Sequence, residues 1–157
     1  MDIASEELLP YINGALDGMV HIIEELGDER INLRPHNMPH TNSPFVILTH
    51  CVGLTRHFFG AVFAGRQVHR DREAEFRAQG TVAEMRQAVR ELQQQIAEDI
   101  KHVRGDQPVA FPEAVRQPHM RTWTQGRCML QCYKELAQHH GHMELTRDVM
   151  WGHGPAS

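Results

Sequence analysis

The chain has 157 residues, of which 41% are hydrophobic and 23% charged, and a formal net charge of -4 at pH 7. That balance supplies one domain over residues 1–157 with a core of its own, and it excludes the strongly basic face of a nucleic-acid binder. "MDIASEELLPYINGALDGMV" lacks the basic-then-apolar order of a signal peptide, and no run nears the roughly 18 apolar residues of a membrane span, so neither export nor a membrane partner is expected.

Three cysteines, Cys51, Cys128 and Cys132, make an odd set in a chain without an export signal. Reduced thiols in a cytoplasmic protein are the economical reading. Histidine stands out: twelve are scattered along the chain.

Apolar residues at helical spacing (Ile3, Leu8, Ile12, Leu16, Met19, Ile22, Ile23, Leu26) predict a first helix over about residues 3–27, with Gly27 as its stop. Gly14 and Gly18 lower its propensity and point to close packing of another helix. "RINLRPHNMPHTNSP" reads as a loop. Asn42 or Ser43 then caps a second helix over residues 44–64, with Pro44 in its first turn. That helix, "PFVILTHCVGLTRHFFGAVFA", is apolar on most sides, as inside a bundle. "GRQVHRDREAEFRAQG" reads as a charged loop with a short helical turn. Thr81 caps a third helix with a stripe of Val82, Met85, Val89, Leu92, Ile96 and Ile100. The Pro-containing stretch from Arg104 to Trp123 reads as a long crossover loop, and the fourth helix covers about residues 124–151. Four long helices and two long connections indicate an all-α four-helix bundle. The apolar excess of the first two helices suggests a homodimer.

The segment "KELAQHHGHMELTRD", Lys134 to Asp148, carries the chemistry. At about 100° per residue, Cys128, Cys132, Glu135, His139 and His142 fall on one stripe of the fourth helix. Glu135 and His139, four apart, have Cβ atoms roughly 6 Å apart and could share one metal ion. His140 points away, to solvent or an interface. On the second helix, His50 lies inside "VILTHCVGL", with His57 two turns along the same face; a buried imidazole needs a partner. Two readings stay open on spacing alone: His50 is a core histidine hydrogen-bonded to Glu135, or the three residues hold a metal. A Cys/His site with Cys128 or Cys132 and His139 is the weaker alternative, because both thiols lie toward the N-terminal end and lack a Cys-x-x-Cys spacing.

"SPFVILTH", then "TWTQGRCMLQCYKELAQHHGHMELTRD", with "RDREAEFRAQG" between them, resembles the DinB-like superfamily, and within it the branch of mycothiol-dependent isomerases and thiol S-transferases. The resemblance implies an up-up-down-down bundle and a divalent metal on His50, Glu135 and His139. His142 would be a further ligand or stand behind the ligands. Relatives often carry a histidine one turn before the acid; here Gln131 stands there.

Two imidazoles and a carboxylate leave coordination positions open, as catalytic sites do. Zn²⁺ suits the set, and Ni²⁺ also fits. The activity implied is transfer of a low-molecular-weight thiol to an electrophile, or an isomerisation driven by it, with Arg56 or Arg147 as candidates to orient an anion. For Arg147 the competing role is a salt bridge to Glu144 or Asp148. Two other readings are a metal-binding, stress-related DinB-like protein without catalysis and a metal-free bundle acting through its surface.

Overall fold

The computed structural model describes residues 4–36 and 38–152, so Ile3 lies outside the described residues. Within them the chain is all-helical, with five α-helices and no strand; one isolated β-bridge joins Pro108 and Thr124.

Helix α1 (Leu9–Leu26) is entered through a 3₁₀ turn at Ser5–Leu8 and ends at Gly27. Its predicted apolar stripe is the buried one: Ile12, Leu16, Met19, Ile22, Ile23 and Leu26. Helix α2 (Pro44–Arg56) starts where the sequence places it, with the Ser43 hydroxyl accepting from the Val46 N–H at 3.3 Å and Pro44 as first residue. It does not stay α-helical to Ala64. From His57 to Phe63 the turns widen to a π-helix, with the Ala64 N–H bonded to the Phe59 carbonyl five residues back. Such segments are uncommon and concentrate at functional sites.

The charged link after it contains the one-turn helix α3 (Arg72–Glu75), capped by the Asp71 carboxylate on the Ala74 N–H. Helix α4 (Val82–Asp99) opens on a reciprocal pairing of Thr81 with Glu84 and buries Met85, Val89, Leu92 and Ile96. It tightens to a 3₁₀ turn at Ile100–His102.

The predicted crossover loop has more structure than a loop, with 3₁₀ turns at Pro112–Ala114 and Pro118–Thr122. Buried Gln125 ties its ends: its carbonyl oxygen accepts from the Arg104 N–H at 2.8 Å, and its amide donates to the Pro108 carbonyl at 3.0 Å. Helix α5 (Gln125–Trp151), capped by Thr124, completes the chain.

α1 packs on α5, α4 and α2, and α2 packs on α5 and α4, around one core. Ile12, Leu16, Leu48, Phe59, Phe63, Leu92, Ile96 and Met129 are fully buried there. Each such side chain contributes about 1.5–3 kcal/mol by leaving water, and the three cysteines are free and buried in the same core. The close approach expected at Gly18 is real, since a Cβ there would strike the His140 ring, while a Cβ at Gly14 would meet nothing within 4 Å.

Pro44–Phe63 is long and apolar enough, by length and composition, to cross a membrane, but it is largely buried inside the protein. The apolar residues of the first two helices are mostly turned into the same core. Among large hydrophobics of the described residues, only Tyr11 of α1 is exposed, and none of α2 is.

Candidate functional site

His50 sits in the middle of α2, where helix periodicity turns it toward α3 and α5, and it is 9% exposed. A buried imidazole needs a polar partner. It has one that spacing on α5 did not indicate: its Nδ1 lies 3.0 Å from Glu75 Oε2. Glu75 is the last residue of α3, and it reaches α2 because of Gly53, three residues beyond His50. A Cβ at Gly53 would collide with the Glu75 carboxylate and stand 3.3 Å from Arg70 Nε.

Arg70 grips the same carboxylate with both arms, Nε to Oε1 at 2.6 Å and Nη2 to Oε2 at 3.0 Å. Such two-point pairing is strong and fixes orientation. All three side chains are about nine-tenths buried.

The charge state follows. Burial pulls the Glu75 pKa up, but the hydrogen bonds and charge of Arg70, with the His50 hydrogen bond, outweigh it and hold the carboxyl below its usual range. Burial, opposed by the Glu75 hydrogen bond and reinforced by Arg70, lowers the His50 pKa, so the ring is neutral at pH 7. A carboxylate beside Nδ1 demands a donor, so the proton sits on Nδ1 and the Nε2 lone pair is free. Arg70 Nη2, 3.3 Å from Nδ1, is already committed to Glu75.

α5 brings the rest. The His139 ring meets the His50 ring edge-on, with centroids 5.2 Å apart. Burial, and then the proximity of His50, lower its pKa. Glu135, one turn before, is half-buried and accepts from the Gln131 amide at 2.8 Å. The predicted stripe therefore changes character along its length. Cys128 and Cys132 are fully buried core groups, and burial pushes the Cys132 thiol up to about 12. Glu135, His139 and His142 are half-exposed. His140 leaves the stripe, as expected, and lies against Gly18 with Glu144 at 3.8 Å.

His50 and Glu135 line a common cavity of about 110 Å³, together with His57, Arg70, Arg72 and Arg116. His57 Nε2 donates to the Ala114 carbonyl at 2.9 Å, which fixes that ring also. Its Nδ1 is buried and has no partner among the described residues. Burial lowers the His57 pKa, against the Ala114 hydrogen bond and with help from Arg70 and Arg116.

Two expectations need correction. If His50 has a hydrogen-bonded carboxylate partner, it is Glu75 rather than Glu135, because only Glu75 is brought against Nδ1 by the gap at Gly53. The arginines at the cavity are Arg70, Arg72 and Arg116, not Arg56 or Arg147. Arg56 faces the groove between α2 and α4. Arg147 makes its expected bridge to Asp148 and adds one to Glu25, each at 3.0 Å. The only sequence traces of the Glu75 clamp lie in "RDREAEFRAQG" and in a glycine one turn beyond a buried histidine.

Among the described residues, no three His, Cys, Asp or Glu side chains are gathered closely enough to hold a metal ion as they stand. The donor chemistry nevertheless suits one. A histidine whose Nδ1–H is tied to a carboxylate is in the tautomer metal ligands adopt; a second neutral imidazole adjoins it, and a carboxylate lines the same cavity.

A helical frame whose second helix carries a buried histidine beside a Glu-x-x-x-His pair on the fifth belongs to a recognisable class, the DinB-like superfamily. The chain belongs to the mycothiol-S-transferase family, whose family model matches residues 7–152. No curated protein and no solved structure matches it.

Proposed function

We propose that this protein uses a divalent metal ion, held by His50, Glu135 and His139, to prepare a small thiol of mycothiol type for transfer to an electrophile in the adjoining cavity. The observation that carries the reading is the Gly53–Glu75–Arg70 arrangement, which leaves His50 neutral with its Nε2 free. A buried, doubly anchored carboxylate behind one histidine has little reason to exist for packing alone, whereas orienting a ligand is its usual work. Zn²⁺ is the ion best suited to two imidazoles and a carboxylate, with Ni²⁺ second. When bound, the ion lowers the pKa of a thiol, which supplies the nucleophile at neutral pH.

The protein's own residues do the remainder. Glu75 and Arg70 hold the His50 ring in one tautomer. Gln131 occupies one oxygen of Glu135 and directs the carboxylate. Phe58, Val62, Val115 and Met120 give the cavity apolar walls that limit water. The thiol must come from outside, because Cys51, Cys128 and Cys132 are all buried with pKa values raised by burial. The up-up-down-down order implied by the resemblance is part of this reading.

Cobalt substitution tests it. Addition of mycothiol to the Co²⁺-loaded protein is expected to produce a thiolate-to-cobalt absorption band in the wild type and none in His50→Ala, and the wild type is expected to alkylate mycothiol with a reactive electrophile. A loaded wild-type protein with neither band nor turnover would favour the metal-binding, non-catalytic reading.

A further inference from the structure

Helix α5 is apolar on two sides. Its buried stripe, with Cys128, Cys132, Leu136 and Met143, faces the core. A second stripe, Leu130, Tyr133, Ala137, Gly141 and Leu145, recurs at steps of three and four residues on the opposite side. No described element covers it: Leu130 is 52% exposed and Leu145 66%, Ala137 is exposed, and only Tyr133 and Gly141 are half-buried. A helix with two apolar stripes has two surfaces to bury.

α1 extends the patch. Tyr11, 61% exposed, meets Tyr133 edge-on with ring centroids 6.0 Å apart. A groove runs between the two helices, lined by Tyr11, Gly14, Tyr133, Ala137, Gly141 and Glu144 among others. Tyr11, Leu130 and Leu145 are half of the exposed large hydrophobics among the described residues, so the exposure is concentrated here rather than scattered.

Two glycines give a second observation. Glycine destabilises a helix interior relative to alanine, and it earns its place where something approaches the backbone closely. Gly18 has such a reason inside the chain, because a Cβ there would strike His140. Gly14 and Gly141 have none, since a Cβ at either meets nothing within 4 Å. The space they keep open faces outward.

The stripe is also complementary to itself. A helix packed antiparallel on its own copy brings residues equally far before and after the crossing point to one level. With the crossing midway between Ala137 and Gly141, the smallest side chains meet where the axes come closest. Lys134, five residues before that point, then comes level with Glu144, five after it, and Tyr133 with Leu145, each six away. Lys134 has no ion-pair partner among the described residues, and Glu144 has His140, at 3.8 Å.

We infer that the groove between α1 and α5 receives a second copy of this chain, through two-fold antiparallel packing of α5 on α5. The surface is the outer face of the last helix rather than the apolar excess of the first two. It is independent of the metal and of the thiol, although the partner's helix backs the turns of α5 whose inner side carries Glu135 and His139.

Sedimentation velocity on the untagged full chain tests the inference, in chelator so that surface histidines cannot bridge copies through a metal. A dimer growing in by mass action between about 1 and 200 µM is expected. Leu145→Glu, at an exposed position, is expected to weaken it by at least about tenfold. Gly141→Gln is expected to weaken it as much, yet to leave the unfolding temperature of dilute, monomeric protein unchanged or higher, because its side chain has room within one chain and favours the helix. Lys134→Glu and Glu144→Lys should each weaken the dimer by about threefold, and the double exchange should recover most of that loss. A chain that stays monomeric throughout that range overturns the proposal. So does a dimer that survives Leu145→Glu and Gly141→Gln, a double exchange no tighter than its single variants, or assembly that continues beyond the dimer.

Discussion

Two connections wall the cavity, and they do opposite things. The link between α2 and α4, residues 64–81, pairs charges across the fold: Arg70 and Glu75 neutralise one another against His50, and Arg66 pairs with Asp99 of α4 at 3.1 Å. The link between α4 and α5, residues 103–124, fixes its backbone through Gln125 and His57 but leaves Arg116 unpaired among the described residues. The first wall uses electrostatics to position a protein group. The second is held through its backbone and leaves Arg116 exposed. An arginine beside a site is therefore informative only once its partner is known.

If the two walls differ in this way, damage to the clamp of the first costs stability, and loss of the exposed Arg116 from the second costs little. The largest effect is expected from Glu75→Ala, which leaves Arg70 buried without its anion and His50 without its acceptor. Breaking a buried pair from one side costs roughly 3–5 kcal/mol, and denaturant unfolding of metal-free protein should show a loss in that range. A loss below about 1 kcal/mol, the level of an exposed ion pair, would mean the clamp is superficial.

Gly53→Ala comes next. Its methyl collides with the Glu75 carboxylate, and crowding of this kind costs about 1–3 kcal/mol, reduced by the better helix propensity of alanine. Combined with Glu75→Ala, the alanine should cost much less, because its obstacle has gone. Strict additivity in that double-mutant cycle would mean that Gly53 and Glu75 do not meet.

His57 provides a smaller test, through pH. Its pKa in the folded protein is lowered, so below about 6.5 the unfolded chain takes up the proton first. Its contribution is therefore complete above that pH and is lost as pH falls toward the folded value. Because the ring is only partly buried, replacement by glutamine should flatten the acid side of the stability profile by about 0.5 kcal/mol between neutral pH and pH 5.5. A steeper acid loss in the variant would reverse the sign and refute the assignment. The smallest effect on stability belongs to the exposed Arg116→Gln, expected within about 0.5 kcal/mol of wild type.

Much of this arrangement is legible in the order of the amino acids. Helix starts are local chemistry, so Ser43–Pro44, Thr81 and Thr124 mark them within a residue. Apolar periodicity identifies the buried side of α1 and α4 for the same reason. The stripe of α5 puts Glu135, His139 and His142 on one side and shows where the fifth helix turns polar. What stays hidden are contacts between segments whose spacing carries no period. Glu75 lies 25 residues from His50, on a helix of only four residues, and nothing in its neighbourhood distinguishes it from Glu73 until the gap at Gly53 is seen. The π-helical turns are hidden too, because "HFFGAVF" is as apolar as the α-helix it extends. Tight packing, not a local signal, decides both.

The proposed chemistry depends on His50, Glu135 and His139 together holding one divalent ion. Metal quantification and competition with a chelator, on protein purified without affinity nickel, tests this most directly. One zinc or nickel per wild-type chain is expected, with at least about tenfold weaker binding in each of His50→Ala, Glu135→Ala and His139→Ala and helicity unchanged. Full retention of the ion by all three variants would contradict it.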